Sequence, residues 1–149
     1  SPENIQTLLA AGADVMARTK TGRTPLHYAA VSNTTASVQI LLTAGADAMA
    51  RGGNGWTPLH WASSGGSYLN IETLLAAGAN VMARGGDDWT PLHWAASSGT
   101  SDNIEVLLAA GADAKAKSKD GKTPWDLAQE NEEAEGTKGY WALNDAQYN

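Results

Sequence analysis

The chain has 149 residues, of which 42% are hydrophobic, so it is long enough to fold as one domain around a substantial core. Its net charge of −6 argues against nucleic acid as the main partner, because the phosphate backbone attracts basic surfaces. There is no Cys, which excludes disulfides and Cys-based zinc sites, and no apolar run approaches the ~20 residues of a membrane span. We therefore expect a soluble chain without membrane insertion, and both a cytoplasmic and a secreted location remain open.

The first predicted element is a short amphipathic helix at the N-terminus. Ser1 is a suitable N-cap, and Gly12 is the kind of residue that commonly follows a helix C-terminus. Ile5, Leu8 and Leu9 share one face of this helix. No partner helix precedes it, so we expect the natural chain to extend upstream of Ser1.

A Thr-Pro-Leu-His block then recurs along the chain. It begins at Thr24, Thr57 and Thr90, each 33 residues after the previous copy. Thr123 opens an altered fourth copy, Thr-Pro-Trp-Asp. Thr before Pro predicts a helix start, because the Thr hydroxyl can accept hydrogen bonds from free N–H groups and Pro at the first helical position loses no needed donor. Each block is therefore predicted to open a helix.

A second block in the same register predicts another helix after each of these. Its N-cap candidates are Thr34, Ser67 and Thr100, and a glycine that favours the left-handed conformation follows each helix. The apolar residues recur at the i, i+3, i+4 spacing of an amphipathic helix. These stripes are Val38, Leu41 and Leu42; Ile71, Leu74 and Leu75; and Ile104, Leu107 and Leu108, and the glycines are Gly45, Gly78 and Gly111.

The C-terminal segment departs from the repeat. Thr123 and Asp126 still open a helix, and the run from Gln129 to Glu135 is polar enough to face water. We predict a last helix whose inner side is formed by three apolar residues. They are Tyr140, Trp141 and Leu143.

A turn and two short antiparallel helices in every 33 residues, with Thr-Pro-Leu-His opening the first, resemble the ankyrin repeat. The resemblance implies an all-α ankyrin-repeat solenoid of stacked helix-turn-helix units joined by finger turns. We expect a single domain with a partial first repeat, three full repeats and a C-terminal capping repeat, at 1–12, 13–45, 46–78, 79–111 and 112–149. The last segment resembles the divergent caps of bacterial ankyrin proteins, which suggests a bacterial chain and raises the idea of a host-interaction effector.

Two departures from the family pattern alter the finger region. The Asn often found two residues after the Gly-Ala-Asp turn is replaced by Met16, Met49 and Met82. The family glycine of the finger turn is Asp88 in one repeat. Neither change threatens the predicted fold.

The recurring histidines are the obvious candidates for chemistry, but their spacing excludes a shared metal. They are His27, His60 and His93. Stacked helices sit ~8–10 Å apart, too far for equivalent side chains to reach one ion at ~2 Å bond lengths. The resemblance implies instead that each ring hydrogen-bonds its own Thr-Pro turn and the neighbouring repeat. With no nucleophile motif and no phosphate loop, we expect no enzyme activity, no catalytic or metal site and no cofactor.

In ankyrin proteins the fingers and inner helices line a concave surface that takes a partner protein. Carried over by position, the resemblance implies a set of partner-binding residues in this chain. They are Lys20, Thr21, Arg23, Val31, Ser32, Asn54, Trp56, Trp61, Ser64, Asp87, Trp89, Trp94, Ser97, Ser98, Lys119 and Lys122.

Trp56 and Trp89 are the most distinctive of these, because each stands in a finger just before Thr-Pro. They are predicted either to be exposed anchors for a partner or to lie on the adjacent finger, for example over Arg51 or Arg84 in a cation–π contact. The residues after the His are expected to form core or groove floor. These residues are Tyr28, Trp61 and Trp94.

A row of cations recurs at one repeat position, at Arg18, Arg51, Arg84 and Lys117. It is predicted either to attract an acidic partner segment or, preferentially, to pair with nearby aspartates of the turns. The candidate aspartates are Asp14, Asp47 and Asp113. Exposed pairs of this kind contribute only ~0–1 kcal/mol.

The function favoured by these patterns is a monomeric protein–protein interaction module that binds a partner on its finger and inner-helix face. An alternative is the scaffold of a longer secreted effector or enzyme whose activity lies upstream of Ser1. A third hypothesis is small-ligand binding in an aromatic groove of Tyr28, Trp61 and Trp94. A laboratory-selected binder is disfavoured, because the repeats differ where a designed library would be constant.

Overall fold

The computed structural model describes residues 1–32 and 34–148. Across these residues the chain is all-α, with nine α-helices and a single 3-10 turn at Gly86–Asp88. The helices are α1 (Pro2–Ala10), α2 (Pro25–Ala30), α3 (Thr35–Thr43), α4 (Pro58–Gly65), α5 (Tyr68–Ala76), α6 (Pro91–Ser98), α7 (Ser101–Ala109), α8 (Pro124–Gln129) and α9 (Lys138–Ala146). None of the described helices has the length and apolarity needed to cross a bilayer.

The predicted helix starts are confirmed. The Thr of each Thr-Pro pair is the N-cap of α2, α4, α6 or α8, with an extended backbone and Pro at the first helical position. Ser1, Thr34, Ser67 and Thr100 are the N-caps of α1, α3, α5 and α7. After these four helices the glycines have φ values of 86°, 94°, 89° and 87°, the left-handed geometry that glycine adopts without strain.

The helices form two rows. The inner row stacks α2, α4, α6 and α8 in chain order, and the outer row stacks α1, α3, α5, α7 and α9. Each inner helix also packs on the outer helix that follows it, so both rows bury their apolar faces against each other. Leu26, Leu59 and Leu92 of the inner row are fully buried, as are Leu74 and Leu107 of the outer row.

The apolar stripe of α1 is covered less well than those of the later outer helices. Leu8 is 60% exposed, whereas Leu41, at the same repeat position, is 2% exposed. Among the described residues, α3 packs on α2 within its own unit, whereas the contacts of α1 are with α3.

Two buried asparagines join an outer helix to the inner helix of the preceding unit, a role that the sequence pattern did not reveal. The Asn70 amide donates to the backbone carbonyl of Ala30 at 3.1 Å, and the Asn103 amide donates to the carbonyl of Gly66 at 3.2 Å. Both side chains are fully buried, so these bonds satisfy carbonyls at the ends of inner helices that water does not reach.

The three methionines that replace the family Asn also link repeats. The sulfur atoms of Met16, Met49 and Met82 each accept a backbone N–H from the following unit. The S···N distances are 3.3, 3.1 and 3.2 Å, to Asp47, Asn80 and Asp113. The substitution therefore keeps an acceptor at this position, although thioether sulfur is a weak one.

The C-terminal prediction needs one correction. Leu143 of α9 is fully buried and Tyr140 is half-buried, but Trp141 is 55% exposed. Tyr140 and Leu143 are three residues apart and share a helical face, whereas Trp141 is turned about 100° away from Tyr140. The polar run before α9 is exposed at Glu130, Glu132, Glu133 and Glu135, as predicted for a segment that faces water.

Candidate partner-binding surface

The histidines connect each inner helix to the next finger. The Thr57 N–H donates to His60 Nδ1 at 3.1 Å, which leaves Nε2 protonated to donate to the Trp89 carbonyl at 3.0 Å. His27 and His93 make the equivalent bonds. The predicted role of these rings, in which each bonds its own Thr-Pro turn and the neighbouring repeat, is therefore confirmed.

These rings are neutral at pH 7. Burial away from water lowers the pKa of His60 to about 4, and it also lowers the pKa of His27 and His93. Both ring nitrogens are committed to hydrogen bonds, Nδ1 with the Thr of the same repeat and Nε2 with the next finger. Among the residues that the structure describes, no group of three or more His, Cys, Asp or Glu side chains is arranged to hold a metal ion.

Three tryptophans meet at the second and third fingers. The ring of Trp94, on α6, lies 4.7 Å from that of Trp56 and 4.9 Å from that of Trp89, with edge-to-face geometry in both pairs. Trp89 also stacks on His93 at 6.1 Å. All three tryptophans are half-buried, so the finger tryptophans are less exposed than free anchors would be.

The Trp56 ring lies against the next finger, which is one of the two alternatives predicted for it, the other being an exposed anchor. A Cβ at Gly85 would overlap Cδ1 of the indole, so only glycine leaves room for the ring. The expected cation–π contact with Arg51 is wrong, as is that of Trp89 with Arg84: the one such contact among the described residues places Arg23 over Trp61 at 4.5 Å.

The arginine row also differs from its prediction. Arg51 donates through one guanidinium nitrogen to the Gly55 carbonyl at 3.1 Å and to the Arg84 carbonyl at 2.9 Å. Arg18 and Arg84 repeat this pattern, which ties each finger to the next. The aspartates of the turns accept N–H groups two residues ahead, and among the described residues they form no ion pair with the arginines. They are Asp14, Asp47 and Asp113.

Trp61 and Tyr28 occupy equivalent helix positions but have different surroundings. Trp61 is half-buried and packs against the core, whereas Tyr28 is 47% exposed. A core position is therefore wrong for Tyr28, whereas a place on the groove floor stays a prediction. Its ring is covered on one side by Trp61, at 5.9 Å between ring centres.

An apolar cavity of about 200 Å³ opens between the inner helices and the second finger. Its lining residues are Val31, Trp56, His60, Trp61, Ser64 and Trp94. Five of these were predicted as binding positions, and His60 was not, because its motif indicates a structural role. The cavity differs from the aromatic groove expected from sequence, since Trp56 takes part and Tyr28 does not.

Two indole nitrogens beside this cavity lack hydrogen-bond partners. The Nε1 atoms of Trp56 and Trp94 are buried, and neither donates to an acceptor among the residues that the structure describes. An unsatisfied buried donor costs about 1–3 kcal/mol, so the rings are not placed here by hydrogen bonding. Their position is explained by ring packing against one another and against Gly85.

The remaining predicted positions lie on the fingers or at the ends of the inner helices. Arg23, Ser32 and Ser97 are half-buried, and Lys122 is held in a 2.7 Å ion pair with Glu130. The Lys119 N–H donates to the Asp87 carbonyl at 2.8 Å, which joins the third and fourth fingers. The predicted positions that are exposed are Lys20, Thr21, Asn54, Asp87, Ser98, Lys119 and Lys122.

Comparison with protein-family models agrees with this architecture. A model described as "Ankyrin repeats (3 copies)" matches residues 1–85, and one described as "Ankyrin repeats (many copies)" matches residues 74–128. A search of curated proteins found no match. Because the first model covers more than half of the 149 residues, the chain belongs to the ankyrin-repeat family.

Proposed function

We propose that this chain binds a partner protein along the surface formed by its fingers and inner helices. Ankyrin repeats are generally protein-interaction modules, which supports the class of function. The observation that carries the choice of surface is the open apolar cavity walled by Trp56, Trp61 and Trp94. Tryptophan is among the residue types that contribute most to binding energy in protein interfaces.

The surroundings of the cavity have the composition of a binding surface. Apolar aromatic rings stand at its centre, and exposed polar or charged side chains lie on the fingers around it, among them Lys20, Asn54 and Asp87. An apolar centre with a polar rim is the usual anatomy of a protein interface. The charged rim would orient a partner, and the rings would supply most of the affinity.

The two finger tryptophans take different parts in this proposal. Trp56 lines the cavity and is offered as a direct anchor. Trp89 contacts Trp94 and His93 instead, so we assign it the task of holding the Trp94 ring in place. Loss of either ring is therefore expected to weaken binding, through contact for Trp56 and through positioning for Trp89.

The surface is tested by site-specific photo-crosslinking. A photoreactive side chain is placed at Ser98, which is exposed at the end of α6, and in a matched protein at Glu72, which is exposed on α5 of the outer row. We expect a partner protein to be cross-linked from Ser98 in lysate of the source organism, competed by unlabelled chain, and absent from the Glu72 sample. Equal labelling from Glu72 would overturn the choice of surface.

The anchor is tested on the recovered partner. Trp56→Ala is expected to weaken binding about 30-fold, because a hot-spot tryptophan contributes about 2 kcal/mol. Trp141→Ala is the matched control, since that ring is exposed on α9 and outside the proposed surface. Circular dichroism must show that both variants are folded. Unchanged affinity in Trp56→Ala would remove Trp56 from the interface.

A further inference from the structure

The side chain of Arg23 differs from those of the other finger arginines in having no acceptor among the described residues. Arg18, Arg51 and Arg84 donate to backbone carbonyls of their own finger and the next. The Arg23 guanidinium forms neither a hydrogen bond nor an ion pair within the part of the chain that the structure describes, and it lies 4.5 Å from the centre of the Trp61 ring. A guanidinium presents five N–H donors in a planar fork, so this fork is left for a ligand.

The neighbours of Arg23 fix where its fork stands. Arg23 is half-buried, and its guanidinium is held against the Trp61 ring by a cation–π contact. Gly52 of the second finger lies against its stem, since a Cβ there would be 3.7 Å from Cγ of Arg23. An arginine held in this way has lost much of its side-chain freedom before a ligand arrives, so less entropy is lost on binding.

A small cavity lies beside this fork, between the first and second fingers. Its volume is about 80 Å³, and its lining includes Arg23, Gly53, Trp56 and Trp61. The two tryptophans also line the larger cavity of the proposed surface, so the two cavities adjoin. At ~30 Å³ per water molecule, the volume corresponds to roughly two or three waters. That size suits the three heavy atoms of a carboxylate better than the five of a phosphate ester group.

Positive charge dominates the first two fingers, although the protein as a whole is acidic. Residues 15–71 include four Lys and Arg side chains and a single acidic one, Asp47, in a chain of net charge −6. Burial is the largest cause of the lowered pKa of His27, and the charges of Arg18 and Arg23 lower it further. A positive field of this kind favours an anionic group at these fingers and disfavours a cationic one.

We propose that Arg23 binds the carboxylate of an Asp or Glu side chain on an acidic segment of the partner protein, in the cavity between the first two fingers. A carboxylate matches the guanidinium fork as a bidentate pair. This inference rests on the proposed function and adds the charge of the segment that the surface receives. Because Asp87 and Asp88 are exposed on the third finger, the acidic residues of that segment lie over the first two fingers.

The proposal is tested first by selection from a library of short random peptides displayed on phage. The immobilised proteins are the wild type, Arg23→Gln and, as a matched control, Lys20→Gln, which removes the same charge from the same finger and leaves the fork on Trp61. We expect peptides selected by the wild type and by Lys20→Gln to contain Asp and Glu at least about twice as often as the unselected library. Arg23→Gln is expected to lose this enrichment. No enrichment on the wild type would overturn the proposal.

A double-mutant cycle then tests for a direct pair. Each acidic residue of the tightest selected peptide is changed in turn, Glu to Gln or Asp to Asn, and affinities are measured by fluorescence anisotropy. At one peptide position we expect a loss of about tenfold on the wild type and of less than about twofold on Arg23→Gln, because the pair is already broken there. Equal losses on the two proteins at every position would show that no carboxylate pairs with Arg23.

Two other occupants are distinguished in the same assay. A peptide with phosphoserine at the coupled position is expected to bind no more tightly than the peptide with Glu, and binding about tenfold tighter would make a phosphoryl group the ligand. Single-stranded oligo(dT) is expected not to displace the peptide at physiological salt, because the net charge of the chain is −6. Displacement at equal concentrations would indicate nucleic acid as the partner.

Failure of this inference is distinguishable from failure of the proposed function. If the selected peptides are not acidic but lose affinity in Trp56→Ala, the surface stands and the carboxylate assignment falls. If a carboxylate couples to Arg23 and no partner is cross-linked from Ser98, the site exists and the wider docking surface is wrong. Circular dichroism must show that Arg23→Gln is folded. If it is not, Arg23→Lys replaces it in the cycle, since Lys keeps the charge and loses the fork.

Discussion

At the scale of single residues, the third finger is held in an unfavourable backbone conformation. Asp87 and Asp88 have φ values of 59° and 58°, in the left-handed region that L-residues other than glycine seldom occupy. At the position of Asp88 the other fingers have glycine, with φ of 73°, 73° and 79°, at Gly22, Gly55 and Gly121. The sequence departure at Asp88 is therefore a real source of strain, next to the Trp89 ring.

This strain predicts that Asp88→Gly stabilises the protein. Left-handed geometry costs a residue other than glycine about 1–2 kcal/mol, and the substitution removes this cost. Part of the gain is lost, because glycine has more conformational entropy than Asp in the unfolded chain. We expect the free energy of unfolding to rise by about 1 kcal/mol in urea denaturation. The matched change Gly55→Asp, at a φ of 73°, is expected to lower it by a similar amount. A destabilised Asp88→Gly would mean that the Asp88 side chain makes a compensating contact.

At the scale of elements, the fingers are joined by a ladder of arginine-to-carbonyl bonds. Arg51 reaches both its own finger and the backbone of Arg84 in the next, and the pattern repeats at 33-residue intervals from Arg18. Lys117 stands at the last position of the row and donates its side chain to no acceptor that the structure describes. The ladder therefore acts on the interfaces between units, which are what stabilise a repeat protein.

The ladder predicts different effects at the two ends of the row. Arg51→Met removes two charge-assisted bonds and keeps most of the apolar stem, so we expect a loss of about 1 kcal/mol, reduced from the full value by solvent exposure. Lys117→Met is the control and is expected to change the unfolding free energy by less than about 0.5 kcal/mol. Both are measured by urea denaturation. Equal losses of unfolding free energy in the two variants would show that the bonds from Arg51 to the two carbonyls add nothing to the effect of losing a positive charge.

At the scale of the whole molecule, three buried neutral histidines recur through the stack and couple its stability to pH. Each must stay unprotonated at Nδ1 to accept the N–H of its Thr, so protonation breaks the bond between the ring and its own Thr-Pro turn. The pKa of all three is lowered by burial, and for His60 it falls from 6.5 to about 4. The folded chain therefore binds fewer protons than the unfolded chain below pH 6.5.

Stability is consequently expected to fall as the pH is lowered. The contribution of His60 is fully present above pH 6.5 and is lost between about pH 6.5 and 4, which corresponds to about 2 kcal/mol at pH 5. His27 and His93 act in the same direction. Urea denaturation at pH 7.5 and 5.0 measures the difference. Equal unfolding free energies at the two pH values would contradict the lowered pKa of the histidines.

Much of this architecture is determined by the sequence alone. The helix starts at Thr24, Thr57 and Thr90 and the left-handed glycines depend on local backbone chemistry, which short motifs report directly. The 33-residue period also predicts that the units stack, because each unit can bury its apolar face only against an equivalent neighbour. The hydrogen bond from each histidine to its own Thr is predictable for the same reason, because the two residues are only three positions apart.

The environment of the candidate site is decided by the tertiary structure. Trp56 meets Trp94, Arg51 reaches the Arg84 carbonyl and the Asn103 amide reaches Gly66, all across the interface between units. A periodic sequence shows that these side chains recur but not which way a ring or a guanidinium turns, because that depends on the space that its neighbours leave. Gly85 leaves that space for Trp56, and the cavity between the tryptophans exists only once the units are stacked.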